Sequence, residues 1–380
     1  MVVPALFVTG ETLPADDHTI RIRLFSELKP ERLIFTPADG DYLIEVDGEE
    51  KGFVRTAEPL LVFRYGDRLA VKGGTLSGIL SDSISIIPDG GTRFSLEIPG
   101  VEDSRRYYDD RLMVNLDGNL FFIVNKTSVE RYLPGVVEAE GGNGIEDEFF
   151  RVQAVIARTY AYRNLDRHIS DNYNLCDGVH CQAYYGKTGM AVIKSAVEAT
   201  RGLVLTDSDT ILVNALFHSN CGGETLSSGQ VWLAQGSHLV SVRDPYCREM
   251  SNSIWRTTIP LQEWITYIYQ FRESGRGSEG DIFRFEQPDR QEMLAISGYR
   301  PIPLREIRER FMLRSAFFSF VKEGDTLLVS GRGFGHGVGL CQQGAMVMAA
   351  RGYNYRQIAS FYYNGVMVVH IDDARYPETF

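Results

Sequence analysis

The sequence predicts an α+β protein: a β-rich N-terminal part packed with a mixed α/β core, with a catalytic cleft between helices and glycine-rich loops. Three observations carry that expectation. Short alternating runs of apolar and polar residues, parted by turn dipeptides, fill the first ~125 positions. Apolar residues then recur with helical period through the middle of the chain. A late strand leads into a segment with a glycine at nearly every second position. Strands clustered early, with helices following, are the α+β arrangement rather than a regular βαβ alternation.

The strands come first. His18-Thr19-Ile20-Arg21-Ile22-Arg23-Leu24-Phe25 and Tyr42-Leu43-Ile44-Glu45-Val46 alternate cleanly, and Leu60–Phe63 and Ile84–Ile87 are shorter runs. Asp39-Gly40, Asp47-Gly48, Gly73-Gly74, Asp89-Gly90-Gly91 and Asp117-Gly118 supply the turns between them. Asn119–Asn125 closes this part, so the expected division is 1–125 and 126–380, as two domains or one continuous domain. Thr127-Ser128-Val129-Glu130 reads as a capping box. A helix is expected from about Glu146 to Arg167, with Phe149, Val152, Val155 and Ile156 on one face. Gly189–Ala199 reads as a short helix, Leu203–Leu205 and Ile211–Val213 as strands, and Pro260–Tyr269 as a helix. Glu273–Gly280 is expected to be an exposed loop, Pro303–Phe311 a helix opening at proline, and Thr326–Ser330 a strand.

Composition narrows the function classes. The 380 residues are 44% hydrophobic and 23% charged, ordinary for a folded protein. A net charge of −11 argues against a nucleic-acid partner, because neutralising phosphates takes clustered lysine and arginine. No window reaches the roughly 18 apolar residues of a membrane-spanning helix. Met1–Phe7 lacks the basic and long apolar regions of a signal peptide, so the chain is either cytosolic or numbered from after a removed signal or anchor. Five cysteines are an odd count in a long chain and do not form a disulfide framework.

Three segments stand out from ordinary packing. One runs Tyr132-Leu133-Pro134-Gly135-Val136-Val137-Glu138-Ala139-Glu140 and continues into the helix carrying Gln153–Ala161. The second is Phe217-His218-Ser219-Asn220-Cys221-Gly222-Gly223-Glu224-Thr225. The third is Gly331–Ala345, with His336 set among Gly333, Gly335, Gly337 and Gly339. The blocks resemble those of the stage II sporulation protein D and amidase-enhancer family of bacterial cell-wall proteins. That family's pattern runs approximately YLPGVVAxEM, AQAxAARTYA, SxxGGxT and GRGxGHGVGMSQYGA before a tyrosine-rich end. Each block occurs here in that order, ending on Phe361-Tyr362-Tyr363-Asn364-Gly365, so the resemblance covers roughly residues 20 to 370.

The resemblance implies a lytic transglycosylase that cuts peptidoglycan glycan strands stripped of their stem peptides, with Glu140 as catalytic acid. A single carboxylic acid suffices there, because the muramyl 6-hydroxyl replaces water and the same group then serves as base. Such an acid must hold its proton near neutral pH, which a partly apolar site achieves. A solvated helix-end carboxylate is the ordinary alternative for Glu140, and Glu138 is its natural control. Arg158, Tyr160, His218, Ser219, His336 and Gln342 are the candidate substrate contacts, each weighed against an ordinary packing role; Arg158 either holds a sugar carboxylate or pairs internally. Two departures stand out: Gly141-Gly142-Asn143-Gly144 replaces the family's Met-Pro, and Cys341 replaces a serine.

His168, Cys176, His180 and Cys181 supply the four nitrogen and sulfur donors that zinc favours, at a spacing unlike the standard fingers. Some family members bind zinc at such a cluster; a Cys176–Cys181 disulfide and free thiols are the alternatives. The expected cofactor is a structural zinc, bracing rather than activating water. The expected partners are peptidoglycan strands and a cell-wall amidase, with an extracytoplasmic location. A glycan-binding enhancer of that amidase is the competing function. A cysteine-histidine hydrolase built on Cys181 or Cys341 with His336 is the weaker third.

Overall fold

The computed structural model describes residues 18–377 apart from Lys29, Asn119, Asn143, Ile145, 231–236 and 274–280. The reading of Met1–Phe7, residue Asn143 of the glycine loop and nearly all of the expected loop at 273–280 lie outside the described residues. The chain divides into two compact units, one formed by the chain up to Glu140 with Asn164–Lys194, the other by Gly141–Arg163 with Ser195 onward.

In the first unit the alternating runs become strands β1 (Thr19–Leu24), β2 (Arg32–Pro37), β3 (Asp41–Val46), β4 (Glu49–Val54), β5 (Leu60–Tyr65) and β6 (Arg68–Gly73). Next come β7 (Leu76–Ser81), β8 (Ser83–Asp89), β9 (Arg93–Glu97), β10 (Arg106–Asp109), β11 (Arg111–Asp117) and β12 (Leu120–Ser128). Helix α1 (Val129–Gly141) and a two-residue strand β13 (Leu175–Cys176) complete the set. One sheet has the order β13-β1-β12-β11-β8-β3-β4 and the other β10-β9-β2-β5-β6-β7. All pairings are antiparallel except β13, which adds parallel to the edge of β1 through Ile22 and Leu175. That pairing is why the unit reaches past residue 125 and takes in the cysteine-histidine segment.

Period-two alternation sends Ile20, Ile22 and Leu24 to the interior, each almost fully buried. Burying side chains of this size contributes about 1.5–3 kcal/mol apiece. An aromatic seam joins the two sheets: Tyr42 from one meets Phe35 (5.0 Å) and Phe94 (5.9 Å) from the other. It continues through Tyr108 and Tyr184 (5.6 Å) to Tyr132 on α1, 4.7 Å from Tyr184. The first turn of α1 is therefore anchored in the core of the β unit.

The cap of α1 differs from the expected one. Thr127 still belongs to β12 and donates through Oγ1 to Asp110 (2.7 Å), while Ser128 Oγ accepts the Arg131 N–H (3.3 Å). Inside the helix, Gly135 allows a close approach. A Cβ there would overlap the Gly186 carbonyl oxygen and lie 2.6 Å from the Tyr184 ring. Gly135→Ala is expected to cost about 3 kcal/mol, the upper end of overpacking, because a backbone carbonyl has less freedom to yield than a side chain. The denaturant midpoint measures it, and an unchanged midpoint would show that the Tyr184–Gly186 turn moves aside freely.

The second unit is organised on α2 (Asp147–Arg163), four residues shorter at its end than expected. It is buried on nearly every face, from Val152 through Tyr162, rather than along one stripe. Helix α3 (Ala191–Ala199) leads to β14 (Leu203–Thr206), and β15 (Phe217–His218) precedes β16 (Ile254–Pro260) and α4 (Leu261–Ile268). Then come β17 (Arg284–Phe285), β18 (Met293–Leu294), β19 (Ile302–Pro303), α5 (Leu304–Arg310), β20 (Phe318–Glu323) and β21 (Thr326–Arg332). The chain ends in β22 (Leu340–Cys341), α6 (Gln342–Ala350), α7 (Tyr355–Tyr362) and β23 (Met367–His370).

The expected strand at Ile211–Val213 reduces to an isolated bridge between Thr206 and Leu212. A four-stranded sheet, β16-β21-β20-β17, packs its own core around Trp255, Trp264, Phe318 and Phe320, with Trp264 donating to the Ile282 carbonyl (2.7 Å). Strand β14 pairs β23 antiparallel, and β15 pairs β22 parallel. Among the described residues no helix is long and apolar enough to cross a membrane.

Candidate functional site

Glu140 stands in the last turn of α1, half-buried, where its Oε1 accepts the Ala183 backbone N–H at 2.6 Å. Burial raises its pKa above the ordinary carboxylate value, and the Ala183 hydrogen bond offsets this only in part. The group is thus disposed to keep its proton at a pH where a solvated glutamate has lost it. Ala183 is held in turn by its neighbours. Tyr184 N donates to Asp177 O (3.0 Å) and Cys181 N to Gly178 O (3.1 Å). Asp177 is itself clamped, accepting from Phe25 N (2.6 Å), Ser26 N (3.0 Å) and Ser26 Oγ (2.7 Å).

The four donors expected for a metal converge on the same loop. The ligand atoms of His168, Cys176, His180 and Cys181 all lie within 4.8 Å of one another. Cys181 Sγ is 3.4 Å from His168 Nε2 and 3.6 Å from His180 Nδ1, and Cys176 Sγ is 3.8 Å from His180 Nδ1. These are close to the edge of a tetrahedron around one zinc ion, about 3.5–3.8 Å for bonds of this type. The outward nitrogen of His168 has an acceptor, Nδ1 lying 3.5 Å from Asp171, whereas His180 Nε2 stands 3.3 Å from Arg167, a donor that must turn aside when Nδ1 holds a metal. A carboxylate behind a ligating histidine is the usual way its tautomer and orientation are fixed. The donor set therefore fits a metal ion of the zinc type.

The remaining expected site residues all fall in the second unit. Arg158 is fully buried and donates to the backbone carbonyls of Leu203 (3.2 Å) and Val197 (3.3 Å). Both bonds are internal, the second of the two roles weighed for this arginine. Tyr160 is also buried, as its place on α2 requires. Gln342 is buried with its Nε2 3.4 Å from Gln153 Oε1. Ser219 is half-buried and its Oγ accepts from Asn252 Nδ2 (2.9 Å).

His336 donates from Nε2 to the Phe217 carbonyl (2.8 Å) and accepts the Val338 N–H at Nδ1 (3.1 Å), which selects one neutral tautomer. His218 is buried beside it, with ring centroids 5.5 Å apart and Nδ1 3.1 Å from the Val338 carbonyl. Gly339, at φ +72°, lets the loop press on the Leu216 carbonyl, where a Cβ would overlap. The histidine pair thus fastens the glycine segment to β15. Burial lowers the His336 pKa to about 4, and lowers that of His218 well below its usual 6.5.

The sign follows from linkage. Native imidazoles stay neutral while unfolded ones take up protons below about 6.5, so stability falls as pH drops from about 6.5 to 4. Urea midpoints are expected to decline over that window. His336→Gln is expected to lower stability at pH 7 yet flatten the decline, and an unaltered slope would rule out this origin.

The structure also gathers a group that the sequence did not suggest. Cys221, Asp244, Cys247 and Cys341 are all buried, with donor atoms within 4.8 Å of one another. Their separation hides them: Cys221 and Cys341 stand 120 residues apart. Complete burial also removes Cys341 as a nucleophile partnered with His336.

A family model described as Stage II sporulation protein matches residues 118–206, the stretch holding α1, α2 and the cysteine-histidine loop. The stage II sporulation protein D of Bacillus subtilis (strain 168) is 29% identical over 265 residues, covering 66% of this chain and 76% of that protein. An uncharacterized protein of Brachyspira hyodysenteriae is 25% identical over 348 residues, covering 89% and 92%. The amidase enhancer of Bacillus subtilis is 24% identical over 288 residues, covering 61% of this chain and 39% of that protein. The match at residues 118–206 agrees with the resemblance of the motif blocks.

Proposed function

We propose that this chain, whose residues 118–206 match the family model described as Stage II sporulation protein, is an extracytoplasmic lytic transglycosylase acting on denuded peptidoglycan strands. The observation that carries the reading is the Glu140 carboxyl, half-buried, raised in pKa and oriented by the Ala183 N–H. A donor on Oε1 leaves Oε2 to carry the proton. That proton passes to the oxygen between N-acetylmuramic acid and N-acetylglucosamine as the glycosidic bond breaks and oxocarbenium character develops. The muramyl 6-hydroxyl then closes on the anomeric carbon and gives its proton to the Glu140 carboxylate, leaving a 1,6-anhydro end and the acid restored. His168, Cys176, His180 and Cys181 would hold a zinc ion, which would brace the loop that carries Ala183 two residues beyond Cys181. His218 and His336 serve as positioning residues for the glycine segment.

One similarity favours a second reading, in which the chain binds glycan and stimulates a cell-wall amidase: a relative bears the name amidase enhancer. Gly141-Gly142 after the acid is compatible with either. Mass spectrometry of sugars released from amidase-treated peptidoglycan separates the two. Anhydro-muramyl ends support the transglycosylase. Their absence, with an amidase accelerated by the protein, selects the enhancer.

A further inference from the structure

We propose that Cys221, Asp244, Cys247 and Cys341 form a second metal site, for a thiophilic divalent cation of the zinc class, independent of the glycan reaction. Three thiols and one carboxylate make a closed tetrahedral set, and such sulfur-rich sets select zinc over harder cations. All four residues are essentially inaccessible to solvent. Cys221 Sγ lies 3.3 Å from Cys247 Sγ and 3.2 Å from Asp244 Oδ2. Those separations are near the roughly 3.8 Å edge that zinc–thiolate bonds impose, so a cation draws the donors apart by only a few tenths of an ångström. Asp244 and Cys247 are three positions apart on one turn, the spacing of the paired ligands on zinc knuckles.

The surroundings are arranged as an outer shell. Asp244 divides its oxygens: Oδ1 accepts the N–H groups of Tyr246 (2.8 Å) and Cys247 (3.3 Å), while Oδ2 faces the sulfurs and accepts from the Tyr362 hydroxyl (3.0 Å). The Cys221 N–H points at Cys341 Sγ (3.3 Å), as backbone amides do toward a ligating thiolate. Asn220 ties the three segments together, donating to Cys247 O (3.1 Å) and Gln343 Oε1 (2.7 Å) and accepting from Gly222 N (2.7 Å). Arg290 donates to Cys221 O (2.6 Å) and adds one positive charge. A buried carboxylate among thiols is costly without a cation, and a dication makes each of the four donors useful.

Zinc content of the purified full chain tests this, with zinc alone as the probe. The wild type is expected to hold about two zinc ions per chain, one per cluster. Cys247→Ser and Cys181→Ser are each expected to lose one. Because Cys247→Ser could disturb the core, zinc-loaded wild-type crystals measured on both sides of the zinc absorption edge give the second reading. An anomalous peak among the sulfurs of Cys221, Cys247 and Cys341 supports the site. No peak there, or a Cys221–Cys247 disulfide in its place, overturns it. Neither measurement depends on glycan cleavage, so this proposal and the transglycosylase reading fail separately.

Discussion

Glu140→Gln is expected to lower the release of anhydro-muramyl ends by about 10²–10⁴-fold, the usual contribution of a positioned general acid, while leaving the fold intact. The glutamine keeps Oε1 as acceptor for the Ala183 N–H and removes only the transferable proton. Glu138→Gln, two positions away, is expected to retain activity within a few-fold. The pH dependence has a definite sign. Because burial raises the Glu140 pKa, the protonated working form persists above the ordinary carboxylate range, and activity falls as pH rises through the raised value. A native pKa above the unfolded one means the ionised carboxylate is disfavoured by folding. At pH 7 the glutamine variant should therefore match or exceed the wild type in Tm. A variant that loses both activity and stability would point to a structural carboxylate instead.

Under the proposed metal reading, disabling the cysteine-histidine cluster carries the second large effect. His168→Ala with Cys181→Ser is expected to lower the Tm by about 10 °C, since metal binding to a loop whose regular structure is one short turn and the two-residue β13 is largely folding free energy; exhaustive chelation of the wild type, which strips both clusters, is expected to lower it at least as far. Activity should fall with it, because the Ala183 N–H lies two residues beyond a ligand. Readdition of zinc should restore both in the chelated wild type and neither in the variant. An unchanged melting curve after complete metal removal would mean that the β13–β1 pairing and the Asp177 clamp suffice to hold the loop.

The legible parts of the fold were those set by local periodicity. Alternation at Thr19–Leu24 and Asp41–Val46 marked both strands, because one face of each is buried and the other is not. The N-terminus of α1 was legible, but its cap was misplaced by one residue, since Thr127 and Ser128 both offer a hydroxyl and only the length of β12 decides between them. Helix α2 read as one-sided because Gln153, Arg158 and Thr159 interrupt its apolar run; the structure buries all three, distributed around the helix, and satisfies Arg158 and Thr159 internally. Helices α6 and α7 were not anticipated. Gly344 made α6 look like more of the glycine loop, yet a Cβ at that position would meet Asp244 and the Tyr362 hydroxyl.

The candidate site divides the same way. Glu140 and the His168–Cys181 donors could be singled out as candidates because each lies in one short stretch of sequence. The Cys221 cluster was missed because nothing local relates residues 221 and 341; its one local signal is the Asp244–Cys247 spacing.

The compact units are not consecutive pieces of chain: the first is left at Glu140 and re-entered at Asn164. During synthesis, β1 therefore waits for its edge partner β13 until all of α2 has emerged from the ribosome. Neither unit can be obtained by a single truncation, and a nonsense codon within α2 yields a β layer that lacks its cysteine-histidine loop. Exchange of such a unit between related genes would need three crossovers rather than one, at 140/141, 163/164 and 194/195. Interleaving of this kind ties the inheritance of either unit to that of the other.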